Sequence, residues 1–386
     1  MCNVTHDTAA PRLHIGIAGA GLLGRLAAWT LARQGHRVEV FDPAPDEHPR
    51  HDGQGAAGFT AAGMLSPLAE RESADAALAD LGWASIPRWA QVCKELMKSS
   101  LDDAPLMHQA GSLLVAHGSD IGSAKRVLAR LEEPALGRTW GTTRSQGVPM
   151  DAPSPLPLSP DALRHMEPAL HSSNGPLHAW HLAGEAHIDT VRTLQALHQQ
   201  ALQVQWHWEQ RVVGLSAGTL YTEARTHRFD WVFDLRGTGA RPDCEVRGVR
   251  GEIVWLHAPG LGLRRPVRLL HPRHRVYIVP RAGDMVLVGA SEIESEDRSA
   301  MSLRSAVELM AAAHSVLPGL AEARIHRLDV NLRPALPDHH PVVQVNDGLV
   351  RINGLYRHGW LLAPALLDQA LHRAGLTSAQ PEHVHV

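Results

Sequence analysis

Gly19, Gly21 and Gly24 stand in the G-x-G-x-x-G spacing with which a chain cradles a pyrophosphate. Gly19 permits a tight turn, Gly21 lets the backbone approach the phosphates, and Gly24 lets a helix pack close to its strand. Leu22 and Leu23 then fall in the first turn of that helix, where unpaired N–H groups and the positive end of the dipole favour an anion. Asp42, followed by Pro43, can accept both hydroxyls of an adenosine ribose, and its charge repels the extra phosphate of NADP. These residues by themselves do not separate FAD from NAD.

Such a site needs a strand, a helix and a second strand to hold it. The apolar run from Leu13 to Ala18 reads as the first strand, Leu22 to Gln34 as the helix, and Arg37-Val-Glu-Val-Phe41 as the second strand ending on Asp42. Beyond them, a glycine-rich stretch from His51 to Gly63 leads into Met64-Leu-Ser-Pro67. A helix is expected from about Ser73 to Ser99, a strand over Gly111 to Ala116 and a helix over Ile121 to Leu131. Residues 133–160, rich in Pro, Gly, Ser and Thr, read as a crossing loop. Asp189 is an N-cap candidate for a helix to about Leu202, and short strands are expected over Gln203 to Trp208, Val212 to Leu215 and Phe229 to Leu235. The last of these runs into Arg236-Gly237-Thr-Gly-Ala240, a glycine turn that can touch a cofactor.

From Val249 onward the pattern becomes antiparallel: strands over Gly251 to His257, Arg275 to Pro280, Met285 to Ala290 and Arg324 to Leu332, with a helix over Ser302 to Val316 between them. Strands over Val342 to Val345 and Leu349 to Ile352 and a helix from Trp360 to Ala374 close the chain. The fold class expected is α/β: a Rossmann-like nucleotide-binding domain with an inserted antiparallel-sheet (α+β) substrate domain. Residues 1–75, 160–245 and 330–386 are expected to form the first, discontinuously, and residues 76–159 and 246–329 the second. Substrate would then meet cofactor beyond the carboxyl ends of the parallel strands, where the two face each other.

Composition narrows the function classes. The chain has 386 residues, 44% hydrophobic and 20% charged, with a formal net charge of −3, so it carries no basic excess for nucleic acid or anionic lipid. Met1 to Arg12 is too polar for a signal peptide, and no apolar run reaches the roughly 18 residues of a membrane span. A cytoplasmic location is the expectation. Three scattered cysteines, Cys2, Cys93 and Cys244, suit a reducing compartment. No CxxC or HExxH is present, and the densest histidine pairs, His339-His340 and His383-Val-His385, read as solvated surface, so no metal is expected. Lysine occurs only at 94, 98 and 125, which argues against a Schiff-base enzyme.

Five segments carry a family resemblance. They are the opening glycine fingerprint, Thr60-Ala-Ala-Gly63-Met64-Leu65-Ser-Pro67, Val249-Arg-Gly-Glu252, Tyr277-Ile-Val-Pro-Arg281, and Asn331-Leu-Arg333-Pro334 together with Gly354-Leu-Tyr356-Arg357-His358-Gly359-Trp360-Leu361-Leu-Ala-Pro364. In order and over nearly the whole length, the chain resembles the FAD-dependent amine and amino-acid oxidases of the D-amino-acid oxidase superfamily, nearest to the glycine oxidases of thiamine biosynthesis.

The resemblance implies FAD, bound non-covalently. Ala62 to Leu65 would run along the isoalloxazine edge, Thr60 would remain as the phosphate-binding hydroxyl, and the backbone of Val212 would hold the adenine. The loop Tyr356, Arg357, His358, Gly359, Trp360 and Leu361 would cover the flavin ring and open the last helix. Two positions depart from the family pattern: Gly58-Phe59 replaces hydroxyl residues, and Leu355 replaces a usual histidine. On the substrate side Arg333 would clamp a carboxylate, which a planar guanidinium does with two parallel hydrogen bonds. Tyr277 would add a phenolic hydrogen bond and Arg357 a second contact, with Arg275 and Glu292 near the same pocket.

The implied reaction is oxidative deamination of a small amino acid such as glycine, by hydride transfer from Cα to flavin N5. Molecular oxygen would then be reduced to hydrogen peroxide. No dedicated protein acid or base is required, so no catalytic residue is expected. Other readings are a D-amino-acid dehydrogenase passing electrons to a quinone and a flavin enzyme of tRNA wobble uridine. For the latter, Arg264, Arg265, Arg268, Arg273 and Arg275 would be the basic face, though they read better as a solvated hairpin. Absence of lysine after position 125 argues against sarcosine-type oxidases. The two separated flavin-loop motifs, at 60–67 and 354–364, favour FAD over an NAD-linked dehydrogenase, and the carboxylate clamp argues against a non-catalytic nucleotide-binding protein. A homo-oligomer leaves no mark in the sequence.

Overall fold

The computed structural model describes residues 11–98, 103–132, 154–170, 175, 177–271 and 275–377. Its first layer is a six-stranded sheet in the order Val342–Asn346, Leu349–Asn353, Trp231–Asp234, His14–Ala18, Arg37–Phe41, Gln205–His207. All neighbours are parallel except the edge pair Val342–Asn346 and Leu349–Asn353. Ile15, Ile17, Val38 and Val40 are buried throughout, as expected of strands covered on both faces. The helices Leu22–Arg33, Thr190–Gln199 and Gly359–Arg373 bury their apolar residues in the same core.

The second layer is an eight-stranded sheet in the order Arg324–Ala335, Arg247–His257, Met285–Gly289, Arg275–Arg281, Val267–Leu270, Ser112–His117, Leu177–Leu182, Leu156–Leu158. Its pairs are antiparallel except Val267–Leu270 beside Ser112–His117, which run parallel. The helix Leu303–Val316 closes one face, capped by Ser302, whose hydroxyl accepts the Ser305 N–H. Asp189 caps its helix as expected, accepting from Arg192.

The α/β class with a Rossmann-like parallel sheet and a second, largely antiparallel sheet is therefore what the chain forms. Segment boundaries differ from expectation at three places. Leu177–Leu182 lies in the larger sheet, and so does the whole of Arg324–Ala335, which runs through position 330. The helix Ala76–Met97 packs against Gly359–Arg373, with Trp89 and Leu96 completely buried in the core shared with that helix. A continuous apolar core thus reaches from the nucleotide-binding helices to Leu114 and Leu270 of the larger sheet. Of the expected crossing loop, 154–160 is described, and it holds the edge strand Leu156–Leu158. Residues 133–153, Arg273 and His383-Val-His385 lie outside the described residues, as does Cys2.

Candidate active site

Between the two sheets lies a cleft of about 1430 Å3. One end is the glycine turn. Gly19 has φ +102°, a conformation open to glycine, and a Cβ there would meet the Leu235 carbonyl oxygen at 2.7 Å. A Cβ on Gly24 would lie 1.8 Å from the Gly19 oxygen, so helix and strand can touch only without it. Gly21 is different: its φ is −75° and a Cβ would meet only Ala56 Cβ, at 3.7 Å. The protein's own packing therefore does not require glycine at 21, whereas a ligand lying in the cleft against that backbone does. Gly21 also begins the helix Leu22–Arg33 with no side-chain cap and no acid in its first turn, which leaves that turn's N–H groups for an anion. Those features fit the diphosphate of a dinucleotide.

Asp42 stands at the end of the second strand, lining the cleft with Pro43. Its carboxylate accepts the backbone N–H groups of Ala20 at 2.6 Å and Ala44 at 2.8 Å, which ties the glycine turn to the adjacent loop. Arg25, which sequence reasoning missed, is 1% exposed in the same helix. It donates to the carbonyls of Ala20, Leu194 and Glu47 and stacks over Phe59 at 5.0 Å. Burial pulls its pKa down to about 10 against the opposing charges of Asp42 and Glu47. Nothing in the spacing marks this arginine, since two of its three acceptors, Glu47 and Leu194, lie 22 and 169 residues away along the chain.

Beside the start of Leu22–Arg33, a second uncapped helix, Gly359–Arg373, presents Gly359 and Trp360 on the wall; a Cβ on Gly359 would lie 3.8 Å from Leu22. Trp360 is clamped there, its Nε1 donating to Gly58 while its carbonyl receives Nε1 of Trp89. Thr60, Gly63, Met64, Val212, Gly237 and Leu355 line the same space. Thr60 Oγ1 accepts from Asn331 at 3.0 Å, the Val212 carbonyl from Arg236 at 3.3 Å, and the Gly237 carbonyl from Asn353 at 3.0 Å. Four sequence-selected residues stand behind the wall rather than on it. Gly24 packs on the first turn, Leu65 is fully buried, Leu361 fills the space beside Gly82, and His358 faces Glu70 at 3.3 Å.

Of the residues expected to hold substrate, Arg333 and Tyr277 lie on the larger sheet and Arg357 in the turn Tyr356–His358 before the last helix. Arg333 and Tyr277 both reach the cleft. Each occupies a space left by a glycine on the neighbouring strand. A Cβ on Gly251 would lie 2.4 Å from Cζ of Arg333, and one on Gly289 would lie 2.7 Å from Cε2 of Tyr277. Arg333 donates to the Arg250 carbonyl at 3.3 Å, and no carboxylate lies within ion-pair distance of it among the described residues. Burial raises the Tyr277 pKa while the charges of Arg333 and Arg357 oppose it, so the phenol keeps its proton as a donor.

Two carboxylates complete this end. Glu292 accepts from Tyr356 Oη at 2.5 Å and from Arg357 at 2.9 Å. Tyr356 reaches it from a left-handed backbone, φ +47°, uncommon for a tyrosine, with that hydrogen bond and a tilted ring contact with His339 around it. Burial would raise Glu292, but Arg357, the Tyr356 hydroxyl and Arg333 outweigh it and hold the carboxyl below its usual range. Glu70 pairs with Arg268 at 2.9 Å and lies 3.8 Å from Arg357. Burial again opposes ionisation, and Arg268, His358 and Arg357 bring Glu70 down to about 2. Arg268 is therefore not part of a solvated basic hairpin. Arg265 is drawn in as well, donating to the carbonyls of Ala110 and Met166. Only Arg264 and Arg275 of that group are exposed among the described residues. No group of acids, histidines and cysteines suited to a metal occurs among the described residues, and no helix there is long and apolar enough to cross a membrane.

A family model described as FAD dependent oxidoreductase matches residues 14–367. The chain is 35% identical to a Rhizobium etli protein whose name assigns it to thiamine biosynthesis as the oxidoreductase ThiO, over 96% of this chain and 99% of that one. Among solved structures it is similar to the glycine oxidase of Geobacillus kaustophilus, with a TM-score of 0.76 and 23% identity over 97% of this chain and 99% of that one. It is also similar to the iminodiacetate oxidase of Chelativorans sp. BNC1, with a TM-score of 0.74 and 22% identity over 96% and 97%.

Proposed function

From the premise that the chain belongs to the family of FAD-dependent oxidoreductases, we propose that it oxidises the amine of a small amino acid such as glycine. FAD, when bound in the cleft, supplies the two-electron acceptor. In the proposed reaction Cα loses a hydride, the nitrogen lone pair forms the C=N bond of an imine, and water hydrolyses the imine to ammonia and an oxo acid. Oxygen takes up the two electrons and two protons as hydrogen peroxide. The Rhizobium etli relative supports a place for this step in thiamine biosynthesis.

The observation that carries the reading is the Arg333 guanidinium, set into the space vacated by Gly251 and lacking a carboxylate of its own. A charged fork facing a cleft is a seat for a carboxylate, and the phenolic proton of Tyr277 adds a second donor. Seating the carboxylate orients the neighbouring Cα, and orientation is what the protein contributes when the cofactor carries the chemistry. Arg357 lines the same space, already partnered by Glu292. On the cofactor side, Gly21 and its uncapped helix would hold the diphosphate, Asp42 the ribose, Thr60 a phosphate oxygen and Val212 the adenine. The start of Gly359–Arg373 would face the flavin ring, where a helix N-terminus favours developing negative charge. None of this calls for covalent attachment of FAD.

A peroxide assay across glycine, sarcosine and several D-amino acids tests the activity. Arg333→Ala should raise KM by about ten- to a hundredfold, the scale of a lost charge-assisted hydrogen bond, with the flavin absorbance of the purified protein retained. A KM unchanged for every amino acid oxidised would remove Arg333 from the site.

A further inference from the structure

Of the guanidinium groups that line the cleft, Arg333 and Arg357 both act on Glu292, and of these two only Arg333 has no carboxylate partner among the described residues. Arg357 Nη1 is bonded to Glu292 Oε2 at 2.9 Å, while Oε1 of the same carboxylate accepts from Tyr356 Oη at 2.5 Å. Glu292 sits in the loop that follows the strand Met285–Gly289, on the same stretch of cleft wall as Tyr277 and Arg333. The Arg357 side chain is 19% exposed; its Nη1 meets Glu292 and its Nη2 lies 3.8 Å from Glu70, and all three residues line the cleft. A protein carboxylate thus fills a ready-made anion position composed of one arginine and one phenol. The other anion position, at Arg333 and Tyr277, has no protein carboxylate in it.

We propose that Glu292 is a specificity-determining residue: it occupies a second carboxylate subsite formed by Arg357 and Tyr356, and so restricts the enzyme to amines bearing a single carboxylate. An amine carrying a second carboxymethyl group would bring its second charge against Glu292, and like charges placed together at a recognition site discriminate strongly. Removal of the Glu292 charge would leave Arg357 Nη1 and Tyr356 Oη as an open pair of donors, with Glu70 remaining beside Nη2, converting a repulsive position into an attractive one. Glu292 is held ionised by Arg357, the Tyr356 hydroxyl, Arg333 and Arg275, which outweigh its burial, so the block persists at neutral pH.

The inference rests on the proposal that Arg333 seats the substrate carboxylate, and its test separates the two. The probes are butyrate and glutarate, the same carbon chain with one and two carboxylates, neither of which can be oxidised as an amine. Glutarate has the length of a bis(carboxymethyl)amine. Binding to the FAD-loaded enzyme is titrated by perturbation of the flavin spectrum at one fixed ionic strength. In the wild type, butyrate should bind at least tenfold more tightly than glutarate. Glu292→Gln should reverse that preference, and the double variant Glu292→Gln/Arg357→Met should lose the gain in glutarate affinity, since the freed guanidinium is its source. A glutarate-to-butyrate ratio that stays at the wild-type value in Glu292→Gln, or a gain that survives removal of Arg357, overturns the specificity role. Butyrate binding unaffected by Arg333→Ala would instead overturn the seating of the carboxylate on which the inference rests.

Discussion

At Gly251 the absence of a side chain is what gives Arg333 a place. A Cβ there would lie 2.4 to 2.5 Å from the guanidinium carbon and nitrogens, closer than any contact a side chain tolerates. Gly251→Ala must therefore move Arg333 out of its seat while leaving every charge in the pocket intact. The expected result is a KM for the amino-acid substrate raised on the order of tenfold, with unchanged flavin content, read from steady-state kinetics and the absorbance spectrum. Recovery of the wild-type KM in Gly251→Ala would mean that the guanidinium functions from another position. The sequence made Arg333 and Tyr277 legible through their motifs. It did not show that Gly251 and Gly289, one strand away from each, are part of the same device, because strand neighbours are set by register and not by spacing along the chain.

At the scale of elements, Glu70 joins three pieces of chain: the short helix Pro67–Glu70 that it ends, the strand Val267–Leu270 through Arg268, and the loop before the last helix through Arg357 and His358. Its carboxyl is held at about 2, below the roughly 4.3 of an unfolded glutamate. A depressed folded value gives stability that is fully present above about pH 4.3 and is lost as the pH falls toward 2, on the order of 3 kcal/mol. Urea unfolding measured across that window should show the wild type losing stability more steeply than Glu70→Gln. Glu70→Gln should also be the less stable protein at pH 7, because Arg268 is left buried without its partner. Equal slopes for the two proteins would show that Glu70 does not carry this linkage.

At the scale of the whole molecule, the cleft of about 1430 Å3 is walled by both sheets, so whatever fills it adds to the stability of the entire chain. FAD at a hundredfold excess over its Kd should add about 2.7 kcal/mol to the folded state and make Tm depend on FAD concentration. Gly21→Ala should abolish that increment without lowering the Tm of the apoprotein, since the added methyl meets only Ala56, at 3.7 Å. A thermal shift series with and without FAD reads both quantities. An FAD-dependent increment that persists in Gly21→Ala would remove this backbone from the dinucleotide contact.

The glycine turn and the strand and helix on either side of it can be read from local residue types alone. Gly19, Gly21, Gly24 and Asp42 lie close together along the chain, and a strand, a tight turn and a helix are local structures whose demands are written in local residue types. Most strands and helices are legible for the same reason, to within a few residues at their ends. Which arginines are paired with a carboxylate depends on the folded arrangement of the strands and loops. Arg268 finds Glu70, Arg250 finds Glu252 and Arg357 finds Glu292, whereas Arg333 reaches the cleft without a carboxylate. Two of those three pairs join residues far apart in the chain. An ion pair between such residues depends on where sheet register and loop path bring two charges within a few ångströms, and residue spacing along the chain carries no measure of that distance.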